Sequence, residues 1–91
     1  MMYGIEYTNI FKKSYKRAIK RGLPINELLD VIHKLANEEK LEEKFRDHAL
    51  VGNYDGCREC HIRPDWLLIY EKKESIKILV LINTGSHSDF F

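Results

Sequence analysis

A chain of 91 residues, 44% hydrophobic and 32% charged, fits one small domain over residues 1–91 with a single modest core and leaves no room for a second. No apolar run approaches the roughly 20 residues that span a bilayer, and no basic segment followed by an apolar one opens the chain, so the expected location is the cytoplasm. Net charge is only +1, which excludes an argument for nucleic acid from overall charge alone.

The distribution of that charge says more. Residues 1–22 carry six Lys and Arg against Glu6 alone, while residues 23–47 carry seven acids against four bases. In chain order, "YGIEY" alternates Tyr3, Ile5 and Tyr7 on one side, as a half-buried strand does. Thr8 suits a helix N-cap, and Ile10, Phe11, Tyr15, Ala18 and Ile19 then fall on one face at helical spacing until Gly22. The opposite face holds Lys12, Lys13, Lys16, Arg17 and Lys20, a row able either to follow a phosphate backbone or simply to be solvated. Pro24 suits the first turn of a second helix, whose apolar stripe is Leu28, Leu29, Ile32, Leu35 and Ala36.

After residue 50 the period changes to that of strands: "CRECHI", "WLLIY" and "IKILVLI", separated by the Arg-Pro-Asp turn and the polar "EKKES". Connections this short favour an antiparallel meander. The expected fold is α+β, in the order β-α-α-β-β-β, with the helical hairpin packed on one face of an antiparallel sheet.

"CRECH" matches the C-x-x-C-H pattern of haem attachment and the C-x-x-C of a redox pair. In a strand, however, Cys57, Glu59 and His61 share one face and Arg58, Cys60 and Ile62 the other. The two thiols then diverge and cannot join without breaking the strand. Nor does a second ligand pair stand ready to complete a tetrahedral zinc site. Cys60 is expected in the core, and neither metal nor cofactor is expected.

Of the four histidines, His33 sits at the margin of the second helix's stripe, where a boundary role suffices. His48, His61 and His87 each stand at an element boundary, and Asp65 lies in the turn four residues after His61. Antiparallel strands bring such ends together, so one reading is a shared cleft of three imidazoles and a carboxylate. The other is a set of unrelated boundary polars. A shared cleft would suit acid-base chemistry near neutral pH, such as RNA cleavage by attack of the ribose 2′-OH on the adjacent phosphate. The closing "GSHSDFF" would then be the wall of a site, with Phe91 beside the substrate and Phe90 anchoring the tail.

"RDHALVGNYDGCRECHIRPDWLLIY" and "NTGSHSDFF" carry the spaced motifs DH-x-L-x-G, H-x-x-PDW-x-LIY and TG-[ST]-H ending in Phe, and in these the chain resembles the YafQ branch of the RelE/ParE toxin superfamily. The resemblance covers essentially the whole chain. It implies the toxin of a type II toxin-antitoxin system, a ribosome-dependent mRNA endonuclease working without metal, with a cognate antitoxin, rRNA and mRNA as partners. It further implies His48, His61, Asp65 and His87 as the catalytic set, with Phe91, and Trp66 if it is not simply packing, at the substrate. His87 and Asp65 are expected to face the scissile phosphate, with His48 and His61 orienting the ribose or sharing proton transfer. Lys12, Lys13, Lys16, Arg17 and Lys20 are the expected rRNA contacts. Asn83 departs from the pattern, which places Arg just before TG; Arg46, Arg58, Arg63 or a ribosomal group could supply the missing positive charge, or catalysis is slower. Two alternatives share the fold, a ParE-like inhibitor of DNA gyrase and a module whose catalytic site has decayed.

Overall fold

A computed structural model describes residues 2–91. The elements are β1 (Gly4–Tyr7), α1 (Asn9–Lys20), α2 (Ile25–Ala36), β2 (His48–Ala49), β3 (Arg58–Arg63), β4 (Trp66–Lys73), β5 (Ile78–Gly85) and α3 (His87–Phe90), with short 3-10 turns at Glu43–Phe45 and Gly52–Tyr54.

Local chemistry sets the helix boundaries. Thr8 has extended backbone and its Oγ1 accepts the Phe11 N–H at 3.1 Å, satisfying one of the free donors of the first turn of α1. The same hydroxyl donates to the Leu81 carbonyl at 2.8 Å, so one side chain both starts α1 and fastens it to β5. After α1, Gly22 takes φ +75°, a left-handed conformation that side chains resist. Pro24 stands as the residue immediately before α2, not within its first turn as expected.

The α+β class and the order of the long elements are as expected, with two differences in the sheet. Its strand order is β1-β5-β4-β3-β2, and β1 lies parallel to β5, Gly4 opposite Ile78 through Tyr7 opposite Leu81. The sheet is therefore mixed, and the helical hairpin is the crossover that a parallel pair requires. The second difference is β2, a two-residue strand whose His48 pairs with Glu59 of β3.

Alternation gives the sheet two distinct faces. Cys60, Ile62, Trp66, Leu68, Tyr70, Leu79 and Leu81 join Phe11, Ala18, Leu28, Ile32, Leu35 and Ala36 in the core beneath the helices. Leu67, Ile69 and Val80 are buried as well, outside that cluster and at the alternate positions of β4 and β5. Two apolar stripes differ from their sequence reading: Ile10, Ile19 and Leu29 are exposed, while Val31 is buried. A helix resting on a sheet buries a narrower arc than the full apolar stripe.

Thr8→Ala removes both the cap and the α1–β5 fastening, and is expected to lower unfolding stability by about 1–2 kcal/mol. The check is a shift of the urea midpoint with an unchanged slope.

Candidate active site

The face of the sheet opposite the helices gathers the residues of interest. On β3, Glu59 and His61 point away from the core that Cys60 and Ile62 enter. β2 adds His48, paired with Glu59. The β3–β4 turn supplies Asp65, and α3 begins with His87. The three imidazoles form a row: His48 and His61 have ring centroids 6.2 Å apart, and His61 and His87 5.6 Å. Of the two sequence readings, the fold produces the one in which the three imidazoles and the carboxylate are neighbours.

Each ring is held through Nδ1. That of His48 lies 2.6 Å from the Arg46 carbonyl, that of His61 3.3 Å from the Pro64 carbonyl, and that of His87 2.7 Å from Asp65 Oδ1. A carbonyl or ionised carboxylate accepts and cannot donate, so in all three rings Nδ1 carries the proton. Nε2 is thereby left as the reactive nitrogen of each neutral ring.

The segments carrying these rings are built for the purpose. Arg46, with φ 47°, makes the left-handed corner ahead of His48. Neighbouring Asp47 accepts from the Tyr70 hydroxyl and, at 3.3 Å, from Arg58 Nε, which ties the corner to β3 and β4. At the other end, Ser86 caps α3 with a reciprocal Asp89 box, and Arg21, the residue that ends α1, meets Asp89 at 3.2 Å. A side chain on Gly85 would crowd Asp89, its Cβ falling 2.6 Å from Oδ2. These contacts answer why the tail does not fray.

Asp65 receives both the His87 backbone N–H, at 2.9 Å, and its Nδ1–H. The backbone hydrogen bond foremost, and then the side-chain one, hold its carboxyl below the usual carboxylate range. Burial pushes the Cys60 thiol far up, which makes it an inert core residue; both cysteines are free.

The remaining candidates are less central. Trp66 is buried in the core, its indole N–H donating to Thr84 Oγ1 at 3.0 Å. Asn83 turns its carboxamide oxygen to Ser14 of α1, at 2.6 Å, and to the Thr84 N–H. Arg63 is engaged by Glu27 through two hydrogen bonds of 2.6 and 3.1 Å. With Arg46, Phe45 and His61 it lines an open groove of about 870 Å³ between α2 and β3. Phe91 is 72% exposed and meets Phe90 edge-on. His33 is exposed, as are Lys12, Lys13, Lys16, Arg17 and Lys20 along α1.

Glu59 belongs to the same face although no sequence motif marks it. It is only 4% exposed, its Oε1 lies 3.5 Å from Nε2 of both His48 and His61, and its Oε2 is buried without a partner. The signal was the strand alternation itself, which puts Glu59 on the face of His61.

Residues 3–91 match the family model described as "Bacterial toxin of type II toxin-antitoxin system, YafQ". The chain belongs to the YafQ toxin family. It is 36% identical over 88 residues to the mRNA interferase toxin YafQ of Escherichia coli K12, covering 96% of this chain and 94% of that one. The crystal structure of the E. coli DinJ-YafQ complex superposes with TM-score 0.89 at 36% identity, covering 98% of both chains. A metal-bound toxin from Helicobacter pylori superposes with TM-score 0.93 at 40% identity, covering 99% of this chain and 100% of that one. In this YafQ-family chain, no group of three or more His, Cys, Asp or Glu among the described residues is arranged to hold a metal ion.

The lowered carboxyl of Asp65 gives the tail contact a defined pH window. Its stabilisation is present above the ordinary Asp range, around pH 4, and is lost as pH falls through the lower folded value. The His87 amide signal is thus expected to show an acid transition below about pH 4 in an NMR titration, where Asp65 gains its proton. In Asp65→Asn the His87 amide shift is expected to be displaced at every pH and to lose this acid transition.

Proposed function

We propose that this toxin is an endoribonuclease that cleaves mRNA on the translating ribosome, by attack of a ribose 2′-OH on the adjacent phosphate. The observation that carries the reading is the His87–Asp65 pair, in which the ring is tethered through Nδ1 and presents Nε2 beside two further imidazoles. The name of the E. coli relative, an mRNA interferase, points the same way.

In the proposed mechanism His87 Nε2 takes the proton of the 2′-OH. The 2′-oxygen then forms its bond to phosphorus as the bond to the 5′-oxygen breaks. Asp65 acts through His87, fixing its tautomer and stabilising the imidazolium that forms, as a carboxylate behind a histidine does in general. At the other end of the row His48, about half exposed, delivers a proton to the leaving 5′-oxygen, and His61 lies between them. Phe91, exposed on the last turn, offers a face for a base to stack on. Arg46 supplies the positive charge near the phosphate that Asn83 lacks.

The modest net charge fits a protein that docks on a ribosome already holding the message. The exposed row Lys12, Lys13, Lys16, Arg17 and Lys20 is the proposed rRNA contact. A cognate antitoxin is the proposed protein partner, as DinJ is for the E. coli relative in its solved complex.

The test is cleavage of a defined mRNA with and without translating ribosomes. Cuts are expected only with ribosomes, and His87→Ala should slow them at least about 10²-fold. Gyrase inhibition without mRNA cleavage would instead favour the ParE-like alternative.

A further inference from the structure

The contacts around Glu59 do not balance without an extra proton. With Nδ1–H of His48 and of His61 committed to backbone carbonyls, each neutral ring leaves an unprotonated Nε2 3.5 Å from Glu59 Oε1. A carboxylate facing two lone pairs is three acceptors with no donor among them. The same carboxylate is buried, its second oxygen has no partner, and a buried, uncompensated charge is strongly disfavoured. Among the described residues its ion-pair partners are these two histidines alone. Across the ladder from β4 comes Ile69, which is apolar, and from α3 comes His87, whose ring neighbours His61 and is itself tied to Asp65. No lysine or arginine makes up the deficit.

We propose that Glu59, His48 and His61 hold one shared proton at neutral pH, and that Glu59 is the positioning residue that keeps it there for the leaving group. The proton sits either on an imidazole Nε2 facing the carboxylate or on the carboxyl facing an Nε2; both arrangements turn a repulsive contact into a hydrogen-bonded one. His48, the exposed member, passes the proton from Nε2 to the 5′-oxygen as the P–O bond breaks and the oxygen keeps the bonding electrons. The trio is then left one proton short, and His48 takes another from water. The catalytic use rests on the proposed RNA cleavage; the shared proton does not, and the two are measured separately.

The proton is read first in the wild-type protein at pH 7.5, from the ring ¹⁵N signals of His48 and His61 and the carboxyl ¹³C signal of Glu59. An imidazolium signal or a protonated carboxyl is expected, and Glu59→Gln should return both rings to the neutral Nδ1–H form. Two neutral rings beside an ionised Glu59 in the wild type would overturn the proposal, whether or not the variant folds. The role in cleavage is read on ribosomes, with an mRNA bearing sulfur in place of the 5′-bridging oxygen at the cut, a leaving group that needs no proton. Glu59→Gln is expected to slow the oxygen substrate about 10- to 100-fold and the sulfur substrate less than about threefold. Equal slowing of both substrates would overturn the proton-supply role. Absence of cleavage by the wild type would count against the activity instead, leaving the NMR result to stand alone.

Discussion

The period of two in β3 is the constraint from which both the core and the site follow. Cys60 and Ile62 enter the core under the helices, and the residues between them, Glu59 and His61, are thereby forced onto the other face. A slip of one residue would bury the histidine among leucines and expose the thiol. Cys60 enters the core from β3 while Cys57 stands just before the strand, half-buried, so what reads as a redox motif is two free thiols in different surroundings. Neighbouring segments then build on that face: β2 pairs with β3, the Pro64 carbonyl turns back onto His61, and Asp65 reaches the first residue of α3.

The chemistry of the face comes from how the rings are tethered more than from how many there are. An exposed histidine on a loop samples several rotamers and both tautomers, and loses conformational freedom on meeting a substrate. Here acceptors fix all three rings through Nδ1 before any substrate arrives, and such preorganisation is what lets acid-base groups act. The acceptors differ, which separates the ends of the row. His87 has an exposed, ionised carboxylate that favours its becoming a cation when it takes a proton. His48 and His61 share a buried carboxylate, suited to storing a proton. The asymmetry fits a reaction that removes a proton at one oxygen and delivers one at another.

Much of this was legible in the chain and some was not, for physical reasons. The stripes of α1 and α2, the Thr8 cap and the three long strands are local periodic features, and the structure bears them out with small changes in which residues the stripes bury. The motif residues His48, His61, Asp65 and His87 lie side by side in the fold, each near the end of a strand or in a turn. The two-residue β2 and the parallel pairing of β1 with β5 were not foreseen. Two residues carry no period, and the β1 pairing is decided by packing some seventy residues away in sequence. Glu59 escaped notice because its burial comes from neighbours distant in sequence. The hydrogen bond that the Asn83 oxygen accepts from Ser14 joins residues 69 apart in the chain, which no local pattern shows.

The most direct test of the mechanism is the chemistry of the cut ends. Message cleaved on translating ribosomes by this toxin should carry a 2′,3′-cyclic phosphate, or the 3′-phosphate derived from it, upstream and a 5′-hydroxyl downstream, as detected by end-specific ligation. Products with a 3′-hydroxyl and a 5′-phosphate would show that water, not the 2′-OH, is the nucleophile, and would contradict the roles assigned to the imidazole row.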